Sequence, residues 1–414
     1  MTATDALRAW GAYERDNPFP MYGEIRARGA VHRVKLIDGH EAWLVVGFEE
    51  ARAALNDARL SKDMLAALAT GDGVVAEGLP GPAFARHMLS VDPPDHSRLR
   101  RLVSSAFTPR RVEELRPRVQ RLVDDLLDDI AVQGPEARVD LVASFAFPLP
   151  FKVICEMLGV PDMDRAALGR GLGALLVPTT TLAEYARAKA ASDAVVAMLE
   201  GLVEAKQRDP GDDLISGLIN ARDGEERLST QELLSTVFQL IVAGHDTTAS
   251  FIGNGVVALL THPQQLNTLR ADDTKLPAAV EELLRYDAPV PHSTFRYAVD
   301  AVDFGDVTIP AGSQVIISLA AANRDGTQNT NADVLDLDRT KTRHLSFGHG
   351  IHHCLGAPLA RMEGLLALRS LLRRFPDLRL SVPVGELHWS HGDGLVLRGL
   401  SELPVVPGVA LPRN

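Results

Sequence analysis

The sequence predicts a mainly α fold with a small β portion. A pattern that opens at Ser229 and stops at His262-Pro263 reads as one long helix; about 32 residues at 1.5 Å each would span roughly 48 Å. Shorter helical patterns run over Phe48–Asn56, Arg110–Val132, Phe151–Leu158, Leu168–Gln207 with a break near Pro178, Pro277–Tyr286 and Leu359–Phe375. Strand patterns are confined to Val31–Val46, Asp300–Leu319 and Leu387–Leu397. No run rich in Ser, Gly or Pro separates these stretches, so a single domain over residues 1–414 is expected.

Composition narrows the function classes. The 414 residues are 46% hydrophobic, enough to bury a large core. A formal net charge of −11 argues against nucleic acid as a main partner. The two cysteines, Cys155 and Cys354, exclude a disulfide framework and fit a reducing cytoplasm. Cys155, inside Val153–Leu158, reads as core. The stretch Met1–Arg28 is polar and contains no signal core and no span of about 20 apolar residues. A cytoplasmic protein with no membrane anchor is therefore expected.

Taken in order, Val31–Val46 alternates around an Asp38-Gly39 turn, as a β-hairpin does. Met64–His87 is broken by Gly71, Gly73, Gly78, Pro80, Gly81 and Pro82, and a loop of that length is functional or disordered. Asp92-Pro93-Pro94 ends a turn and a helix begins. His96 and Arg100 are four apart on it, so they share a face and could grip a pair of carboxylates. In the long helix, Ser229 and Glu232 match a capping box. Its middle reads Ala243-Gly244-His245-Asp246-Thr247-Thr248. A glycine there costs about 1 kcal/mol, and Asp246 is hard to bury. Local preference is broken where nothing structural demands it, which marks function. Gly244 clears space for a ligand to approach the backbone. The Thr247 hydroxyl can bond back to the Ala243 or Gly244 carbonyl and open the helix. Farther on, Glu282 and Arg285 pair at i,i+3.

The chain is organised around the loop His344–Gly356. Gly348 and Gly350 let its backbone bend tightly. Cys354 follows, just ahead of Pro358 and a helix. A helix N-terminus favours an anion, so the thiol should ionise readily and act as a soft metal ligand. One thiolate without a companion cysteine suggests haem iron rather than zinc or an iron–sulfur cluster. A zinc site from His349, His352, His353 and Cys354 is conceivable, but its spacing matches no usual tetrahedral pattern.

Phe347-Gly348-His349-Gly350-Ile351-His352-His353-Cys354-Leu355-Gly356 resembles the haem-binding loop of cytochrome P450, Phe-Gly-x-Gly-x-His/Arg-x-Cys-x-Gly, at all six defined positions. The Gly244–Thr247 segment is similar to that family's oxygen-activation motif, and Glu282/Arg285 to its Glu-x-x-Arg pair. The resemblance implies the P450 fold, with haem b (iron protoporphyrin IX) between the long helix and the Cys354 helix. It implies Cys354 as iron ligand, His96, Arg100 and Arg296 on the propionates, and Ala243, Gly244, Phe347, Gly348, His352 and Gly356 against the haem. Asp246 and Thr247 would deliver protons for dioxygen reduction. Glu282 and Arg285 would brace the haem loop from behind. Val334 stands where a second arginine is expected, so that network is either incomplete or served by Arg324 or Arg339.

The resemblance further implies a monooxygenase that hydroxylates or epoxidises a bulky, mainly apolar small molecule. It would use O2 and two electrons from a ferredoxin and ferredoxin reductase. Arg98 and Arg101 are candidates to meet that acidic donor. A macrolide, polyketide or other secondary metabolite is the expected substrate; steroids or terpenoids, C–C coupling and peroxide-driven chemistry are the alternatives. A haem-based sensor is disfavoured, because no DNA-binding or signalling segment is evident. Val177, Leu240, Val290, His292, Ser293 and Val396 are expected around the substrate, with His292 either donating to a substrate oxygen or facing solvent.

Overall fold

Helices carry most of the chain and the strands are short, as the sequence predicts. The structure is a computed structural model, and it describes residues 16–36, 39–63, 86–175, 182–389 and 396–413. The chain opens with α1 (Phe19–Ala27), the strands β1 (Val31–Lys35) and β2 (Glu41–Val45), α2 (Phe48–Asn56) and β3 (Leu60–Ser61). Next come α3 (Asp95–Ala106), α4 (Pro109–Ala131), β4 (Val139–Asp140), a π-helical turn over Val142–Ala146, and α5 (Pro148–Leu158). Then follow α6 (Asp162–Leu175), α7 (Leu182–Arg208), α8 (Leu214–Asn220), α9 (Thr230–Thr261), α10 (Pro263–Ala271) and α11 (Leu276–Tyr286). The last part holds β5 (Arg296–Ala298), β6 (Val302–Phe304), β7 (Val307–Ile309), β8 (Gln314–Ile317), α12 (Leu319–Asn323), α13 (Ala357–Arg374), β9 (Arg379–Leu380) and β10 (Pro404–Val406).

These elements form two compact units. The first holds Met1–Gly71, Arg118–Leu149 and Thr247–Asn414. It contains a five-stranded sheet in the order β1-β2-β8-β5-β3. The predicted hairpin is its edge, with Val31 opposite Val45 and Lys35 opposite Glu41. Gly39 turns the chain at φ +91°. Side chains alternate across the sheet with period 2. Val45, Val315 and Ile317 point into a core with Phe48, Ala51 and Leu55 of α2. Leu44, Val46 and Ile316 point the other way, against Tyr22 and Ile25 of α1. A second, three-stranded sheet in the order β4-β10-β9 was not legible beforehand. Two of its strands have two residues each, too short to show a period.

The second unit holds Asp72–Pro117 and Pro150–Asp246. Its α6 and α7 pack closely; a Cβ on Gly171 would come within 2.6 Å of Val195 Cγ2. Cys155 is fully buried here, and burial pushes its thiol up to about 11, so it is core, as expected. The predicted capping box starts α9: the Ser229 N–H donates to Glu232 Oε2 at 2.9 Å, and the Glu232 N–H to Ser229 Oγ at 3.3 Å. The helix then runs without interruption to Thr261, with no break at the threonine.

Three expectations fall on residues outside the described set. They are most of the Met64–His87 loop, the Pro178 region with Val177, and the centre of the Leu387–Leu397 hairpin. Beside that last stretch, Trp389 and Leu400 form an isolated bridge.

Candidate active site

The Cys354 loop lies in the first unit. Short backbone bonds shape it: the Gly348 N–H donates to the Leu345 carbonyl at 2.7 Å, and the Cys354 N–H to Phe347 at 2.9 Å. Gly348 and Gly350 sit at φ +70° and +73°, a region that disfavours other residues. A Cβ on Gly350 would also come within 3.0 Å of the Leu55 carbonyl, so the loop rests on the end of α2. Cys354 is exposed and stands two residues before the Gly356 N-cap of α13. The helix end favours an anion at that position.

A cluster that sequence reasoning missed stands beside the thiol. Arg361 lies 4.4 Å over the Phe347 ring and donates to both Glu281 oxygens at 2.7 and 2.8 Å. The Glu281 bond raises the Arg361 pKa and Cys354 adds to it, so a fixed cation accompanies the cysteine. Burial alone would raise the Glu281 carboxyl, but Arg361 and His344 hold it down at about 2. A cavity of about 450 Å³ opens here, lined by Phe347, His349 and His353 together with Arg52, Arg343 and Arg361.

The Glu282–Arg285 pair is fully buried and braces this loop. Arg285 Nε and Nη2 donate to the two Glu282 oxygens at 2.7 and 2.8 Å. Its remaining hydrogens reach the carbonyls of Asn323 at 3.1 Å, Ala332 at 2.6 Å and Val334 at 3.0 Å. The second arginine is Arg339, whose Nε donates to Glu282 Oε2 at 3.1 Å. The network is therefore complete. Val334 contributes only its backbone carbonyl, and its side chain is 55% exposed. Arg324 is elsewhere, between the rings of Phe19 and Tyr286 at 4.0 and 3.9 Å. Asn323 carries the brace to the loop: its Oδ1 accepts the Leu345 N–H at 2.7 Å, and its Nδ2 donates to Ser346 Oγ at 2.8 Å.

Arg296 is buried on β5 and donates to the Leu60 and Leu55 carbonyls at 3.1 and 3.2 Å. Leu55 is also the residue under Gly350, so Arg296 is anchored next to the cysteine loop. Val290, Ser293 and Val396 are half-buried. His292 does not face solvent. It is 1% exposed, and its Nε2 meets the Tyr22 hydroxyl at 3.0 Å, which makes it part of the core under α1.

Most of α9 is buried, but Leu240 and Gly244 are half-exposed and Ala243 is exposed. Thr247, the next residue on that stripe by spacing, is half-exposed as well. Asp246, off the stripe, is 7% exposed. At Gly244, a Cβ would come within 3.2 Å of Ile154 Cδ1. The glycine thus also lets α9 sit close to Ile154 of α5. His96 is buried on α3, and burial, then the charge of Arg100, lowers its pKa. Arg98 is tied to Glu232, and Arg101 to Asp223 and Glu226. Both arginines expected to meet a donor protein are thus engaged within the second unit.

Among the described residues, no three His, Cys, Asp or Glu side chains gather to cage a metal ion. Cys354 offers a single sulfur donor, which fits haem iron, a group that would need only one such ligand from the chain. Among the described residues, no helix is long and apolar enough to cross a membrane. The family model for cytochrome P450 matches residues 174–383. Cytochrome P450 monooxygenase PikC of Streptomyces venezuelae is 45% identical over 98% of this chain and 95% of its own length. The mycinamicin IV hydroxylase/epoxidase of Micromonospora griseorubida is 44% identical over 93% of this chain and 94% of its own. The structure of the tirandamycin C-bound P450 monooxygenase TamI superposes with TM-score 0.84 at 41% identity, covering 95% of this chain and 98% of that one. With relatives this similar matched over nearly their whole length, the chain belongs to the cytochrome P450 monooxygenases.

Proposed function

We propose that the chain hydroxylates or epoxidises a bulky, mainly apolar secondary metabolite, with a macrolide or polyketide as the substrate class. In this proposal it acts in the cytoplasm with haem b and draws two electrons from a ferredoxin and its reductase. One observation carries most weight: α9 is buried for most of its length, yet Leu240, Ala243, Gly244 and Thr247 leave a small, weakly polar stripe accessible at its middle. Two similar proteins support the substrate class: one is named for acting on mycinamicin IV and one holds tirandamycin C.

When bound, the haem supplies reductive activation of dioxygen and oxidation of the substrate carbon. The protein's own residues do the rest. Cys354 would hold the iron and donate electron density through sulfur. Phe347, Gly348, His352 and Gly356 would seat the porphyrin. His96, Arg100 and Arg296 would take its carboxylates; two of the three are cationic and His96 is a buried ring donor. Asp246 and Thr247 would deliver protons. Ala243, Gly244, Leu240, Val290, Ser293 and Val396 would keep water from the reacting carbon. The cavity beside the Cys354 loop, where Arg52, Arg343, Arg361, His344, His349 and His353 outnumber Glu49 and Glu281, is the face we assign to an acidic donor protein.

Purified holoprotein should be titrated with macrolides, linear polyketides, steroids and terpenoids while the Soret band is followed. A low-spin to high-spin shift confined to the first two groups, with oxygenated product under ferredoxin and reductase, is the expected result. Turnover with peroxide alone, and none with the electron donor, would overturn the dioxygen chemistry.

A further inference from the structure

The residues around Arg361 are joined in a defined order that ends on the cysteine. The Ser346 N–H donates to His344 Nδ1 at 3.2 Å, so that nitrogen carries no hydrogen. The imidazole hydrogen is then on Nε2, which donates to Glu281 Oε2 at 3.0 Å. Burial works against the Glu281 charge, but Arg361 and His344 hold the carboxyl down at about 2, so near neutral pH it only accepts. The Arg361 fork fills both of its oxygens, at 2.7 and 2.8 Å. Held edge-on by that carboxylate, the guanidinium lies 4.4 Å over the Phe347 ring. The same ring is 6.0 Å from the His344 imidazole. Finally, the Phe347 carbonyl accepts the Cys354 N–H at 2.9 Å. Neighbouring glutamates of α11 thus serve different parts of one loop. Glu282, through Arg285 and Asn323, holds Leu345 and Ser346. Glu281 holds the residues on either side of that pair, His344 directly and Phe347 through Arg361.

We propose that Arg361 is a positioning residue for Cys354: locked by Glu281 and His344, it pins Phe347 and thereby keeps the cysteine sulfur bound to iron as a thiolate. The proposal rests on Cys354 as the iron ligand. A metal ligand is held as much by the partners that orient it as by its own bond, and losing one such partner typically costs roughly 10- to 100-fold. Here the partner chain runs through a ring stack and one backbone hydrogen bond. A loop that loosens at Phe347 also loosens the carbonyl that holds the Cys354 N–H. The sulfur can then take one proton from solvent and become a neutral thiol. A flat, two-pronged cation is what the geometry requires, because it must bind a carboxylate along one edge and lie on a ring with its face.

The test uses holoprotein reduced with dithionite under carbon monoxide. No donor protein is present, so a docking role for Arg361 would leave the readout unmoved. The red-shifted band of the thiolate complex is followed as it decays to the unshifted band of the thiol complex at one fixed temperature. Arg361→Met keeps most of the stem but has neither fork nor charge. It should speed the decay roughly 10- to 100-fold, with a urea midpoint by far-UV circular dichroism close to wild type. Arg361→Lys can reach one Glu281 oxygen but cannot lie flat on the ring, so it should fall between the two. Glu281→Gln should resemble Arg361→Met, and the double variant should be no worse than the more damaged single one, because the two residues act as a unit. Wild-type decay in Arg361→Met overturns the positioning role. So does full additivity in the double variant, or a fall in the urea midpoint large enough to account for the faster decay. Should Arg361→Met fail to take up haem, Arg361→Lys and Glu281→Gln decide by the same readout. A wild-type complex without the red-shifted band overturns Cys354 as the iron ligand and the role of Arg361 with it, whereas a wild-type band that Arg361→Met leaves unchanged overturns the role of Arg361 alone.

Discussion

Removing Arg285 should damage the protein more than removing Arg339, and both more than altering Val334. Arg285 is 0% exposed and Glu282 1%, so Arg285→Ala breaks a buried pair and leaves the carboxylate only Arg339 and the Asp336 N–H. Breaking such a pair costs about 3–5 kcal/mol. The carbonyls of Asn323 and Ala332 lose the Arg285 donor as well, and that of Val334 loses one of two. Against a total stability of about 5–15 kcal/mol, that is enough to release the loop bearing Cys354. Arg339 gives Glu282 one charged bond at 3.1 Å, so Arg339→Ala should cost about 1.5–3 kcal/mol. Val334→Ala keeps the backbone carbonyl and trims an exposed side chain, so it should stay within about 0.5 kcal/mol. Urea unfolding followed by far-UV circular dichroism gives the three values, and haem content per chain reports the loop. Arg339→Ala behaving like Val334→Ala would show that Arg339 is not the second arginine of the network.

Three further outcomes are expected. Thr247→Ala should still bind substrate and consume reductant but divert electrons to peroxide; peroxide yield per electron measures this, and an unchanged yield counts against the proton role. Cys354→Ala should lose the red-shifted band that a thiolate-ligated ferrous haem gives with carbon monoxide, and persistence of that band would mean another ligand. Glu363 on α13 is buried with no partner at Oε2, and burial pushes its carboxyl from an ordinary 4.5 up to about 8. Between those values the folded chain keeps a proton that the unfolded chain has lost, so this residue makes stability fall as pH rises from 4.5 toward 8. Glu363→Gln should therefore raise Tm at pH 8 and leave it unchanged near pH 4; an equal Tm at both would refute the assignment.

Much of the fold was legible because its signals are local. The Ser229–Glu232 capping box, the proline stop at Pro263 and the Val31–Val46 hairpin all depend on neighbours within a few residues, and the structure has them nearly residue for residue. The Cys354 loop was legible for the same reason. The β4-β10-β9 sheet was not, since it joins chain segments far apart in sequence through strands of two or three residues. Arg339 was legible only as one of two candidates, because nothing at its position singles it out over Arg324 for a contact with Glu282, 57 residues away. His292 was misjudged because its partner, Tyr22, lies 270 residues away.

By itself, then, the sequence determined the lone thiol ahead of a helix, the acid and threonine in the middle of the longest helix, and the family they indicate. Each is a short-range pattern of residue type and spacing. Only the tertiary structure decided which arginine answers Glu282, that Arg98 is bound to the α9 cap, and that His292 meets the Tyr22 hydroxyl. Those depend on how a buried polar atom finds a partner, and burial exists only once distant segments have packed together.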